Sequence, residues 1–161
     1  MKALEDGAAA AREGIRGLRA AVVEINPGRL HDAGLAAAIE DLSGVLRSRG
    51  VEVAVDVPAD LALAPASEEL LYRAAAEALR NVAAHAGASR VAVAVTAAGG
   101  RARLRIADDG RGFDGPTRAR RLAQGHLGLS LVEDLAAHLG GSVTIESAPG
   151  AGTRVEVDVP A

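Results

Sequence analysis

Ile106-Ala-Asp-Asp-Gly-Arg-Gly-Phe-Asp-Gly115 and, after a short polar run, Gly125-His-Leu-Gly-Leu129 form the stretch that decides the fold. An alternating strand ends at an acidic pair and gives way to glycines, and the second glycine pair opens a helix. Glycine permits positive φ and close backbone approach, and the start of a helix offers free N–H groups to an anion. The stretch suggests a phosphate-bearing ligand, although Asp-Gly is also ordinary turn chemistry and a lone Gly-x-Gly leaves both interpretations open.

Composition limits the class of protein. The 161 residues suit one domain with a short appendage, and the core must be aliphatic because Tyr72 and Phe113 are the only aromatic residues. The absence of cysteine excludes disulfide and thiolate chemistry, and four scattered histidines without a His-x-x-x-His pair argue against zinc. A net charge of −3 gives no sign of a nucleic-acid surface. No apolar run approaches the roughly 20 residues of a membrane span. We therefore expect no nucleic-acid partner, no direct membrane contact and a cytoplasmic location, while a longer parent protein could be membrane-anchored.

The order of periodic segments predicts the fold class. Helical patterns cover residues 3–25, about 32–49, 67–86 and about 127–139, and alternating patterns mark strands at 51–57, 91–95, 101–106, 143–145 and 155–159. Ala98-Gly99-Gly100 suits a hairpin, and residues 111–124 are predicted as a glycine- and arginine-rich lid with few apolar anchors. We expect an α+β, two-layer sandwich in which helices cover one face of a mixed, mainly antiparallel five-stranded sheet.

One helix combines an apolar face with three polar residues. Glu77, Asn81 and His85 are four residues apart and fall within an arc of about 80°. Asparagine in a helix interior sacrifices propensity, but its amide oxygen can ligate Mg²⁺, and a glutamate can hold or activate a water. The alternative is an ordinary solvated face. The opposite side of the helix carries Leu71, Ala75, Leu79, Val82 and Ala86.

Four motifs in order resemble those of one ATPase superfamily, the Bergerat-fold proteins that include gyrase, the Hsp90 chaperones, histidine kinases and MutL. The resemblance covers about residues 30–161. The motifs resemble, in turn, the N box (Glu77-x-x-x-Asn81-x-x-x-His85), the G1 box (Asp108-Asp-Gly-Arg-Gly-Phe113), the G2 box (Gly125-His-Leu-Gly-Leu129) and the final Gly-x-Gly-Thr element (Gly150-Ala-Gly-Thr153).

The N-terminal part resembles one branch of the sensor histidine kinases. The segment from Pro27 to Ile39 is similar to the linker between the dimerisation helix and the ATP domain in nitrate-sensor-type kinases. Residues 1–28 would then be the end of the dimerisation helix and its linker, and residues 29–161 the catalytic ATP-binding domain.

The resemblance implies ATP and Mg²⁺ as cofactors. Asp108 would accept a hydrogen bond from the adenine amino group, supported by Thr153 through water, and this predicts adenine over guanine, which presents a carbonyl oxygen there. Asn81 would hold Mg²⁺, and Glu77 would order a water on the metal or polarise the attacking group. The implied ATP site comprises Asn81, His85, Asp108, Gly110, Gly112, Phe113, Gly125, His126, Leu127, Gly128, Leu129 and Thr153, with Glu77 and Asn81 as catalytic residues.

Two positions depart from the family pattern. Ala84 stands where members often carry Lys or Arg before the N-box histidine, so a phosphate contact is missing or replaced. His31-Asp32 imitates a phosphoacceptor pair but lies at the linker, beside a Pro-Gly break. Candidates for the replacement are Arg80 and the lid arginines Arg118, Arg120 and Arg121. The alternative interpretation of the lid arginines is that they are simply solvated surface residues.

By resemblance, the chain is the catalytic domain of a histidine protein kinase without its phosphoacceptor helix. Its partners would be the dimerisation helix of the parent kinase and, through the parent, a response regulator, and we expect a monomer from a homodimeric parent. Two alternatives remain, a serine kinase of the anti-sigma-factor type and a nucleotide-binding interaction module without catalysis.

Overall fold

A single five-stranded sheet underlies the fold. The computed structural model describes residues 27–123 and 128–161, with the side chains of 27–29, 31 and 121–123 excepted, so the helix predicted over 3–25 lies outside the described residues. In chain order the elements are α1 (Pro27–Ser48), β1 (Glu52–Asp56), α2 (Pro65–Asn81, continued by a π-helical turn over Val82–Ala86), β2 (Arg90–Ala98), β3 (Arg101–Asp108), α3 (Gly115–Ala123), α4 (Gly128–His138), β4 (Ser142–Ser147) and β5 (Thr153–Pro160).

The sheet is mixed, and its topology confirms the predicted fold class. The strand order is β1-β2-β3-β5-β4, with β1 parallel to β2 and the other neighbours antiparallel. Helices α1, α2 and α4 pack on one face, where the inward residues of neighbouring strands meet in rows. Ile106, for example, pairs with Val93 on one side and Val155 on the other, and all three are buried.

The opposite face carries charged residues, as the alternation in β3 predicts. Arg101 and Arg103 pair with Asp158 on β5, and Arg105 pairs with Glu156 at 2.9 Å. These cross-strand ion pairs stabilise the exposed face of the sheet, while the apolar residues on the other face are buried under the helices.

The first described helix begins earlier than predicted. The sequence placed its start near Asp32, whereas α1 begins at Pro27, because proline suits the first helical turn, where its missing N–H is not needed. At Gly34 the backbone leaves the helical conformation (φ 77°, ψ 170°), so α1 is two helical pieces joined at a glycine.

The long polar-faced helix also differs at both ends. It begins at Pro65 rather than Ser67, and after Asn81 it widens into the π-helical turn over Val82–Ala86. Gly87, with φ 58°, ends it in the left-handed region, as its glycine predicts. Because π turns insert a residue into the helical repeat, the turn shifts His85 relative to Asn81 on the helix surface.

The segment 111–124, predicted as a glycine- and arginine-rich lid, contains a helix that the sequence analysis did not predict. Residues Gly115–Ala123 form α3. Asp114 immediately precedes this helix and caps it, because its carboxylate accepts the N–H of Thr117 at 2.9 Å. These contacts with Thr117 lower the pKa of Asp114. An acidic cap followed by proline in the first turn is a helix-start signal, and it outweighs the glycines nearby.

Candidate functional site

A cavity separates the polar face of α2 from the ends of β3 and β5. Its volume is about 140 Å³, whereas a single buried water needs about 10–15 Å³, so it has room for a chemical group much larger than water. The predicted residues Glu77, Asn81, His85, Asp108, Gly112, Phe113, Leu129 and Thr153 all line it.

The predicted residues outside this lining fall into two groups. Gly110 and Gly128 adjoin the cavity and shape it through close contacts with Ala86 and Glu77. Residues 125–127, which carry Gly125, His126 and Leu127 of the G2 box, lie outside the described residues.

Asp108 lies at the inner end of β3, two residues beyond the buried Ile106, as strand alternation predicts. One carboxylate oxygen accepts the backbone N–H of Gly110 at 2.8 Å. Burial raises the pKa of Asp108, the backbone N–H groups of Gly110 and Thr153 lower it, and the neighbouring charge of Asp109 adds to the rise. The cavity therefore contains a partly desolvated carboxyl group, which gains from a hydrogen-bond donor on a ligand.

Asp109 points away from the cavity and has a structural role that sequence reasoning did not identify. Its carboxylate accepts the backbone N–H and the hydroxyl of Ser89 and the backbone N–H of Arg90, at 2.6 to 2.8 Å. The hydroxyl of Ser89 is the largest cause holding the pKa of Asp109 well below its usual range, followed by the Arg90 N–H. Asp109 thereby ties the end of β3 to the start of β2 and places Asp108 in the cavity wall.

Two glycines allow the loops around Asp108 to pack backbone against backbone. Gly112 (φ 60°) and Gly152 (φ 72°) are in the left-handed region, and a Cβ at either would overlap a carbonyl oxygen, that of Ala148 or Asp108 respectively. Any side chain there would push the two loops apart. The G1 glycines and the Gly-x-Gly-Thr element therefore form one joined floor.

Glu77 and Asn81 form a polar cluster on α2. Glu77 pairs with Arg80 at 2.5 Å through one carboxylate oxygen, and the other accepts Asn81 Nδ2 at 3.5 Å, near the limit for a hydrogen bond. A Cβ at Gly128 would overlap the Glu77 carboxylate, so the start of α4 lies directly against it. With its Nδ2 turned to Glu77, Asn81 has its Oδ1 available for another partner.

The arginines near the cavity differ in their contacts. Arg111 and Arg118 line the cavity, and Arg118 pairs with Glu133, which joins α3 to α4. Arg80 is engaged with Glu77, and Ala84 is exposed and does not line the cavity. Of the three predicted replacements whose side chains the structure describes, Arg80, Arg118 and Arg120, Arg118 is the one that lines the cavity.

Comparison with known proteins identifies the family. Residues 66–161 match the family described as histidine kinase-, DNA gyrase B- and HSP90-like ATPase. The chain belongs to this ATPase family. The matched residues include α2 from its second residue onward and every residue that lines the cavity, so the family match and the cavity refer to the same part of the chain. ATP is the ligand of this family.

Named relatives are sensor histidine kinases. The sensor histidine kinase MctS of Rhizobium johnstonii is 36% identical over 98% of this chain and 36% of its own length. The histidine kinase domain of a blue-light activated kinase from Erythrobacter litoralis has a TM-score of 0.66 at 22% identity, over 80% of this chain and 59% of that one. Full-length ShkA in complex with AMPPNP has a TM-score of 0.61 at 28% identity, over 78% of this chain and 29% of that one.

The chain spans about a third of the length of the curated relatives it matches, with 36% and 33% of two of them covered. Within residues 27–123 and 128–161, no helix combines the length and the apolar character needed to cross a bilayer.

Proposed function

We propose that this domain is the catalytic part of a two-component sensor histidine kinase. It would transfer the γ-phosphate of ATP to a histidine on a separate dimerisation helix of a homodimeric parent, for relay to a response regulator, on the cytoplasmic side where ATP is supplied. The observation that carries the proposal is the cavity itself, which has a carboxylate acceptor, Asp108, at one end and an amide with a free oxygen, Asn81, on the helix opposite.

The floor of the cavity suits an adenine ring. Asp108 offers an acceptor in partly apolar surroundings formed by Ile106, Val155 and Ala86, where an unpaired polar group is costly. Adenine presents an amino donor and a flat apolar face, and so satisfies both requirements. A base with a carbonyl oxygen at the same place would set two acceptors against each other.

The amide oxygen of Asn81 would suit a magnesium ion that accompanies the nucleotide. Mg²⁺ prefers oxygen ligands and is usually held by few protein groups together with phosphate oxygens and waters. Among the described residues no three His, Cys, Asp or Glu side chains come together, which fits an ion held mainly by the nucleotide. When bound, Mg²⁺ neutralises the phosphate charge that develops during transfer.

Glu77 has a positioning role in this proposal. Its two carboxylate oxygens contact Arg80 and Asn81, so it fixes the direction in which the Asn81 amide points. Arg118, on the cavity wall, supplies the positive charge that Ala84 lacks, by exchanging its contact with Glu133 for a phosphate oxygen. Because phosphoryl transfer depends on positioning and charge neutralisation, these residues need not form a covalent intermediate.

Phosphotransfer in trans tests the proposal against both alternatives. The chain is mixed with Mg-ATP labelled at the γ-phosphate and with a separately expressed dimerisation domain carrying the phosphoacceptor histidine. We expect acid-labile, alkali-stable label on that domain, absent when the acceptor is His→Gln. Acid-stable label on a protein substrate would instead indicate a serine kinase. Nucleotide binding without any transfer would indicate the interaction module.

A further inference from the structure

Ser147 lies next to Thr153, outside the cavity lining, and contacts three different polar groups. Ser147, Thr153 and Asp108 are direct partners across three adjacent strands, β4, β5 and β3, in the row next to the half-buried Ile145 and the buried Val155 and Ile106. Cross-strand partners point to the same face of a sheet. Ser147 does not line the cavity, but it lies directly beside Thr153, which does.

Ser147 has one hydroxyl proton to donate and three polar groups within hydrogen-bond distance. Its Oγ is 2.9 Å from the backbone N of Phe113, 2.9 Å from the carbonyl oxygen of Gly152 and 3.0 Å from Oγ1 of Thr153. Either hydroxyl of the Ser147–Thr153 pair can be the donor, but a carbonyl oxygen can only accept, so all three contacts are hydrogen bonds only when the proton of Ser147 is donated to Gly152. The oxygen of Ser147 then accepts two protons, one from the N–H of Phe113 and one from the hydroxyl of Thr153.

This arrangement leaves the Thr153 oxygen with only lone pairs to offer the cavity. A threonine hydroxyl ordinarily rotates to donate or accept as the ligand requires. Here the hydroxyl proton of Thr153 is donated to Ser147, and the carboxylate of the neighbouring Asp108 is an acceptor as well. We propose that Ser147 is a specificity-determining positioning residue, which fixes Thr153 as an acceptor and so sets the polarity of the base edge that the cavity recognises.

The proposal rests on the proposed nucleotide site and makes its base preference more specific. A water on an acceptor-only Thr153 donates one proton to Thr153 and its other proton to the ligand. The ligand edge must then present a donor to Asp108 and, next to it, an acceptor to the water. Adenine has this order, an amino group beside a ring nitrogen with a lone pair. Hypoxanthine has the reverse order, a carbonyl oxygen beside a ring N–H.

The ratio of IDP to ADP dissociation constants tests the role of Ser147. In Ser147→Ala the Thr153 hydroxyl is released and can donate, so the water can turn to accept the ring N–H of IDP. One neutral hydrogen bond is worth about 0.5–1.5 kcal/mol, so we expect the ratio to fall about 2- to 10-fold. Ser147→Thr keeps a hydroxyl and should retain the parent ratio.

Thr153→Val is the second variant, and it separates specificity from loop packing. If Ser147 acts through Thr153, then Ser147→Ala in the Thr153→Val background leaves the ratio of that background unchanged. If Ser147 merely holds the loops together, Ser147→Ala weakens ADP and IDP by the same factor, and the proposal is overturned. If the parent chain prefers ADP and Ser147→Ala has the same ratio of IDP to ADP dissociation constants as the parent, this inference is overturned and the proposed function is not. A parent chain that binds neither nucleotide overturns the proposed function and this inference with it.

Discussion

The exchange Asp108→Asn probes the base-recognition end of the cavity most sharply. The two side chains have the same shape, and the amide oxygen of asparagine can keep the bond that Asp108 accepts from the N–H of Gly110 at 2.8 Å. The amide nitrogen then faces the cavity in place of a carboxylate oxygen. The variant therefore presents a donor to the amino group of adenine, and two donors cannot pair.

The size of the effect follows from the bond that is lost. A hydrogen bond to a charged group is worth about 1.5–3 kcal/mol, so ADP affinity should fall roughly 10- to 150-fold. IDP presents a carbonyl oxygen, which accepts from the new amide, so its affinity should fall much less or rise. Calorimetric titration of both nucleotides on parent and variant gives the two dissociation constants directly.

Asp109→Asn is the matched control, because it removes the same charge one residue further along. Asp109 contacts Ser89 and Arg90 and does not line the cavity. We expect it to lower thermal stability while the ratio of IDP to ADP dissociation constants stays that of the parent. If Asp108→Asn and Asp109→Asn have the same ratio of IDP to ADP dissociation constants, Asp108 does not contact the base, and its proposed role in adenine recognition is refuted.

Four other predictions concern the metal, the acceptor, the lid and pH. Asn81→Ala should remove the Mg²⁺ dependence of ADP affinity without changing the circular dichroism spectrum; affinities that still differ between Mg²⁺ and EDTA would exclude Asn81 as a ligand. The chain alone with labelled ATP should give little acid-labile label, and His31→Gln should not change it; label that His31→Gln abolishes would make His31 an acceptor. Amide exchange in Gly115–Ala123 should slow when ATP binds, and equal rates would separate α3 from the site. Because the pKa of Asp109 is lower in the folded chain than the unfolded value of about 3.9, its ionised carboxylate stabilises the fold above that pH, and this stabilisation is lost as the pH falls below that value. Asp109→Asn should therefore flatten the decline of Tm in acid. A decline of Tm parallel to that of the parent would contradict this prediction.

The strands could be predicted because alternation is a strong and local signal. Arg101, Arg103 and Arg105 alternate with buried apolar residues, and that pattern alone assigns each side chain of β3 to a face. The same alternation predicts that Asp108 points to the same face as Ile106, where it lines the cavity. By contrast, α3 has no apolar stripe for a periodicity argument to find, and only the cap at Asp114 and the proline after it indicated a helix.

The contacts between motifs could not be predicted, because they depend on strand order. Adjacent acidic residues in one motif have opposite surroundings, and the partners of Asp109 become clear only when β2 is known to lie beside β3. Ser147 belongs to no motif, and it reaches Thr153 only because β4 pairs with β5 in this register. The π-helical turn after Asn81 likewise could not be predicted from the spacing of apolar residues.

A crystal structure of the domain with Mg²⁺ and a non-hydrolysable ATP analogue would show whether Asp108 contacts the base and Asn81 the metal. We expect the adenine amino nitrogen within about 3 Å of the Asp108 carboxylate and Mg²⁺ at about 2.1 Å from Asn81 Oδ1. A nucleotide bound elsewhere, or bound in the cavity with its amino group turned away from Asp108 and its metal away from Asn81, would contradict this expectation.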